Sequence, residues 1–185
     1  MKSSGLFFIL IIIFIIGCAK QQLQPSQENN LETQKSEVSN MQLTSSAFQH
    51  NSVMPFEFTC DGENIHPSLS ISGVPANAKS LVLIVDDPDA PVGTWDHWIV
   101  FNIDPLIKEI KQNEQPQGVA GKNSWGKVGY GGPCPPSGTH RYFFKLYALD
   151  TTLSLPEGSA KNQVESAMQS HILAKSELIG LYKRK

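Results

Sequence analysis

The chain has 185 residues, 40% of them hydrophobic, with 15 Lys and Arg against 17 Asp and Glu for a formal net charge of -2. This composition fits one ordinary globular domain and excludes collagenous or coiled-coil architecture. The near-neutral balance leaves no electrostatic footprint for nucleic acid, which is not expected as a partner.

At the N-terminus, Lys2 is followed by an unbroken apolar run from Leu6 to Ile16 and then Gly17-Cys18, the layout of a secretory signal peptide over residues 1–17. The run falls short of the roughly 20 residues that a bilayer-spanning helix needs. Ile15-Ile16-Gly17-Cys18 also resembles a bacterial lipobox, in which cleavage before the cysteine leaves a new N-terminus lipidated on Cys18. A plain signal with an incidental cysteine is the alternative. Burying acyl chains is worth about 0.8 kcal/mol per CH₂, and more than one chain makes anchoring stable. The mature chain is therefore expected to be exported and held at the membrane of a bacterial cell envelope without crossing it. It would carry 14 basic and 17 acidic side chains, which argues against a general basic face for anionic membranes. Residues 18–41 are mostly Gln, Ser, Asn, Glu and Lys, with too little apolar area to offset the entropy of ordering, and read as a flexible tether. The folded domain is expected over residues 42–185.

Within it, Cys60 lies in a turn-like Thr59-Cys60-Asp61-Gly62 segment, and Cys134 in Gly131-Gly132-Pro133-Cys134-Pro135-Pro136, which suits neither helix nor central strand. Export would place both in an oxidising compartment, where a disulfide between Cys60 and Cys134 is the natural pairing and two reduced, buried thiols the alternative. No CxxC or HxxxH spacing accompanies them, so no metal site is expected. Leu81 to Val85, His97 to Ile103 and Tyr142 to Tyr147 read as strands, with Gly and Pro punctuating nearly everything between them. Val164, Met168 and Ile172 recur every four residues and predict an amphipathic helix over Lys161 to Leu173. Leu178 to Tyr182 suits either a short last strand or a helical end. The fold class is thus mainly β, with one or two helices near the C-terminus.

A period of two assigns Leu81, Leu83, Val85 and Asp87 to one strand face, His97, Ile99, Phe101 and Ile103 to a second, and His140, Tyr142, Phe144 and Leu146 to a third. Each face is apolar except at one end, so a core packed on them would carry Asp87, His97 and His140 at its rim. Asp87-Pro88-Asp89-Ala90-Pro91 is a stiff turn able to fix a carboxylate. Taken singly, that turn reads as a hairpin connection and each histidine as a packed aromatic. Together with Tyr142 and the small Gly131-Gly132-Pro133 loop, they can offer N–H and O–H donors to a compact anion such as phosphate. Arg141 faces the other way and is expected to pair with Asp89. His50, His66 and His171 are read as structural or surface residues.

The motifs Asp87-Pro88-Asp89-Ala90-Pro91, Trp95-Asp96-His97 and Gly138-Thr139-His140-Arg141-Tyr142, in this order, resemble the phosphatidylethanolamine-binding protein family, most closely its bacterial branch described as similar to Raf kinase inhibitor protein. The resemblance covers about Thr44 to Tyr182. It implies a large antiparallel sheet packed with a smaller one, and an anion pocket of Asp87, His97, His140 and Tyr142 lined by Ala90, Pro91, Trp95, Gly132 and Pro133. The leading expectation is a membrane-tethered binding module for a small phosphorylated ligand or a phospholipid headgroup, with no catalytic residue and no cofactor. Alternatives are a protein-interaction inhibitor of a kinase or protease, or a hydrolase using His97 or His140 as base or Asp87, His97 and His140 as metal ligands. No serine or cysteine stands in a nucleophile elbow, which leaves covalent catalysis without a candidate.

Overall fold

The computed structural model describes residues 40–184. The expected signal peptide, Cys18 and all but the last two residues of the tether lie outside the described residues. The chain runs β1 (Gln42–Thr44), β2 (Ser52–Val53), a 3-10 turn (Phe56–Phe58), β3 (Leu69–Ser72), β4 (Ser80–Asp87), β5 (Trp95–Ile103), β6 (Glu109–Ile110), β7 (Val119–Ala120), β8 (Thr139–Leu149), α1 (Lys161–Met168) and β9 (Ile172–Lys183).

Every residue of β4 is buried. Its uninterrupted apolar run suits a strand covered on both faces, where no alternation with solvent is needed. Strand β4 is central to a six-stranded sheet ordered β2-β9-β8-β4-β5-β7, while β1-β3-β6 form a second, three-stranded sheet. Neighbouring strands are antiparallel, except that β2 runs parallel to β9 at one edge of the larger sheet. The expected antiparallel large sheet with a smaller companion is what the chain forms, apart from that edge.

Two apolar layers flank the large sheet. On one face, Leu43, Leu69, Ile71 and Ile110 of the small sheet share a core with Leu83, Val85, Trp98, Phe144 and Leu146. On the other, Val82, Ile84, Ile99 and Phe101 pack with Leu153 and with Val164 and Met168 of α1. Full burial of such side chains contributes about 1.5–3 kcal/mol each relative to exposure.

Two expectations need correction, and one open alternative resolves as a strand. The helix stops at Met168 rather than Leu173. Val164 and Met168 do face inward, but the His171 amide donates to the Met168 carbonyl and closes a reversing turn, so Ile172 opens β9 and is 42% exposed. Leu178 to Tyr182 is the second half of that twelve-residue strand, paired along its length with β8. Strand β5 does not keep one period of two: Ile99 and Phe101 belong to the helix-side core, whereas Ile103 belongs to the small-sheet side. The cause is a one-residue slip between the pairs Leu83↔Val100 and Leu81↔Ile103. Asn102 sits in this slip at φ 58°, and its side chain donates to the Leu153 carbonyl and accepts from the Leu153 amide. A bulge of this kind flips every side chain beyond it.

These assignments predict that Ile84→Ala lowers the unfolding free energy by about 2–5 kcal/mol, while Ile172→Ala changes it by less than about 0.5 kcal/mol. Urea titration of the two variants checks the pair. A large loss at Ile172 would restore the longer helix.

Candidate functional site

Strand β4 ends in two consecutive aspartates, and the pleat sends them to opposite faces. Asp87 lies on the small-sheet side. One of its carboxylate oxygens accepts the Asp89 amide at 2.8 Å, which folds the Pro88-containing connection back on itself. The other faces Nδ1 of His140, 2.7 Å away. A carboxylate oxygen accepts, so Nδ1 of His140 carries the proton and Nε2 points away from Asp87. Asp89 in turn accepts from Arg141 through its backbone amide, Nε and Nη2, at 3.0, 2.9 and 2.7 Å. The Arg141 hydrogen bonds hold the Asp89 carboxyl below the usual range. The expected Arg141–Asp89 pairing therefore clamps the connection onto β8.

His97 reaches the same rim through a second bulge. The register passes from Val85↔Trp98 to Asp86↔Asp96, leaving His97 as the extra residue on β5. Its ring meets Tyr142 edge-on at 5.2 Å between centroids and Trp125 likewise at 5.1 Å. Its Nδ1 lies 2.6 Å from the Gly131 carbonyl, which can only accept, so this nitrogen too carries the proton. Burial pushes the His97 pKa below its ordinary value near 6.5, which favours the neutral ring with a lone pair on Nε2. Among the described residues, neither Nε2 has a hydrogen-bond partner.

Tyr142 completes the group. Burial, first of all, and the nearby Asp87 charge push its hydroxyl pKa well up, so the phenol keeps its proton. The hydroxyl lies close to Asp87 and the Cys134 backbone but is buried without a well-formed hydrogen bond. The rings of His140 and Tyr142 are nearly parallel at 6.5 Å. Residue exposures of 3% for Asp87, 2% for His97, 6% for His140 and 0% for Tyr142 leave all four side chains buried.

The loop after Tyr130 is pinned by four hydrogen bonds. The Gly131 amide donates to the His97 carbonyl, the Gly132 amide to Oδ1 of Asn64, the Tyr130 hydroxyl to the Phe58 carbonyl, and the Cys60 amide to the Pro133 carbonyl. Cys60 and Cys134 are joined in a disulfide. Glycine is required twice by close approach. A Cβ on Gly131 would stand 2.5 Å from the Trp125 ring, and one on Gly132 would stand 2.6 Å from the Phe58 carbonyl oxygen.

Asp87, His97, His140 and Tyr142 thus meet, with Gly132 and Pro133 buried in the adjoining loop. Trp95 packs edge-on against Trp125 at 5.4 Å. Ala90 and Pro91 lie farther out on the connection, half-buried and exposed respectively. His66 stacks on Trp98, and the half-exposed His171 bonds Asp150. Among the described residues, no three His, Cys, Asp or Glu side chains are grouped to hold a metal ion.

Sequence reasoning missed Asn64 and Trp125, whose roles come from long-range contacts. It also missed the other face of the sheet, where Asp86, 1% exposed, meets the Lys145 and Lys161 ammonium groups at 2.8 and 3.2 Å. Lys161 also meets Asp96 at 2.6 Å. Burial pushes the Lys161 pKa down, yet hydrogen bonds and attraction from Asp96 and Asp86 raise it overall.

The family model described as phosphatidylethanolamine-binding protein matches residues 44–183. A UPF0098 protein of Methanothermobacter thermautotrophicus is 52% identical over 150 residues, covering 78% of this chain and 99% of the relative. A UPF0098 protein of Chlamydia trachomatis is 48% identical over 149 residues, with the same coverage. Among solved structures, a phosphatidylethanolamine-binding protein homologue from C. trachomatis superposes with a TM-score of 0.77 at 47% identity, covering 80% of this chain and 99% of that one. E. coli YbcL, described as a member of the mammalian family of such proteins, gives 0.74 at 33% identity, covering 78% and 99%.

Two outcomes follow from this geometry. Burial lowers the pKa of His66 as well as His97, so the unfolded chain binds these protons more readily than the folded one. Their contribution to stability is complete above about pH 6.5 and is lost as pH falls through the ordinary value toward the lowered ones. Urea midpoints between pH 8 and 5 should therefore fall from near 6.5 downward, and a flat profile would refute the burial argument. Replacing both Cys60 and Cys134 by serine should cost on the order of 4 kcal/mol by loop-closure entropy, read as a lower urea midpoint.

Proposed function

The chain belongs to the phosphatidylethanolamine-binding protein family, and from that premise we propose that it is a binding module for a phosphate-bearing ligand, held at the cell-envelope membrane by lipid on Cys18. The ligand is a small phosphorylated molecule or a phospholipid headgroup. The observation that carries this reading is the pair of imidazoles on one rim, each with Nδ1 committed to the protein and Nε2 left without a partner. The Tyr142 hydroxyl beside them is a further donor without a well-formed bond.

In the neutral state, Nε2 of His97 offers a lone pair and repels an anion. Protonation converts it to a donor, and burial makes that proton costly until a negative charge arrives. Binding of phosphate therefore takes up a proton at His97. Asp87 orients His140 through Nδ1, while the pinned Gly131–Gly132 loop keeps the rim from rearranging. Such a site needs donors and shape, but no nucleophile, metal or cofactor. A membrane tether would raise the local concentration of headgroups around the domain.

Calorimetric titration of the purified protein with inorganic phosphate and phosphoethanolamine is the direct test. Saturable binding should tighten several-fold from pH 8 to pH 6.5, with proton uptake visible as a buffer-dependent heat, and should vanish in His140→Ala. Selective binding of phosphoethanolamine would favour a headgroup over free phosphate. Failure of both anions at millimolar concentration would sink the reading and direct the search to protein partners.

A further inference from the structure

The Gly131–Gly132 loop beside the histidine rim also walls a cavity of about 240 Å³, lined by Asn64, Trp125, Lys127, Val128, Tyr130 and the Cys60–Cys134 bridge. Asp87, His97, His140 and Tyr142 do not line it. The volume lies below the ~300–1,000 Å³ of sites for drug-sized ligands, so its guest must be compact.

Its charge is one-sided. No acidic side chain lines the cavity, and the Lys127 ammonium meets no carboxylate among the described residues. Oδ1 of Asn64 already accepts the Gly132 amide at 2.7 Å, which leaves its NH₂ group to donate. Two residues with donors therefore line the space, and only one is charged. That suits a ligand with a single anionic group on an otherwise apolar body.

The apolar wall is preorganised. Asn123 accepts the amides of Trp125 and Lys127 at 3.0 and 3.1 Å and donates to the Gly129 carbonyl at 3.1 Å, so the loop that carries both residues is fixed. Trp125 is braced edge-on by Trp95 and His97 and yet stays 44% exposed, with Val128 beside it 50% exposed. A rigid indole presented to solvent next to an unpaired cation is a surface that a flat apolar anion can cover.

We infer that this cavity is a second binding site, distinct from the histidine rim, for a compact aromatic carboxylate. Its carboxylate meets Lys127 and the Asn64 amide, and its ring lies over Trp125 and Val128. This inference stands apart from the phosphate reading, because none of Asp87, His97, His140 and Tyr142 lines the cavity.

The test is a titration of the whole protein with 2-naphthoate, followed by the indole N–H and backbone resonances of Trp125 and Lys127. Saturable shifts are expected at both residues. Lys127→Gln should weaken binding about tenfold, and Val128→Ser should weaken it as well. Both side chains are exposed, so an unchanged urea midpoint is expected and verifies folding. His140→Ala should leave 2-naphthoate affinity unchanged, even though it removes phosphate binding. The neutral 2-naphthamide should bind markedly more weakly. Absence of saturation, equal affinity for the amide, or loss of binding in His140→Ala with none in Lys127→Gln would each overturn the assignment.

Discussion

Burial of β4 on both faces is the constraint around which the rest of the molecule is arranged. A strand without a solvent face can end in charged residues only if its neighbours satisfy them, because an unpaired buried charge costs several kcal/mol. Asp86 and Asp87 illustrate both solutions. Asp86 turns toward the helix side and is met by two lysines, one from β8 and one from the first turn of α1. Asp87 turns toward the small-sheet side and is met by an imidazole and a backbone amide. The same pleat thus yields a lysine-paired aspartate on one face and a histidine-paired aspartate on the other.

Much of this was legible beforehand because apolar alternation and proline-stiffened turns are local signals. Asp87, His140 and Tyr142 could be placed on one rim from β4 and β8, whose faces keep their period where it matters. His97 arrived at the right place for an incomplete reason. A strict period of two would have set it with Ile99 and Phe101, yet it joins Tyr142 because a bulge inserts it into the register. Bulges are written in pairing, and pairing is not visible in one strand's residues. The helix was overextended for a related reason: Ile172 repeats the spacing of Val164 and Met168, but β8 claims it as a strand partner through the Leu149↔Ile172 pair. Asn64 and Trp125 escaped notice because their contacts lie 68 residues away in one case and across an irregular loop in the other.

The loop from Tyr130 to Cys134 gains its rigidity from bonds to β5 and to the segment 58–64. Two glycines allow this, since a Cβ on Gly132 would collide with the Phe58 carbonyl and Asn64 that hold the loop, and one on Gly131 with the Trp125 ring. Rigidity of this kind lowers the ordering cost of any binding beside the loop. Trp125 belongs to both neighbourhoods, in a T-shaped contact with His97 and lining the cavity together with Lys127.

The position of β9 bears on the order of events in the life of the chain. The last strand of the domain lies between β8 and β2 inside the large sheet, not at its border. Until residues 172–183 have left the ribosome, β8 has one open flank from Thr139 to Leu149, and β2 has nothing to pair with. A nascent chain lacking that segment cannot close its sheet and exposes an unpaired strand to other chains. Closure of the large sheet therefore waits on residues 172–183, which pair with both of these strands.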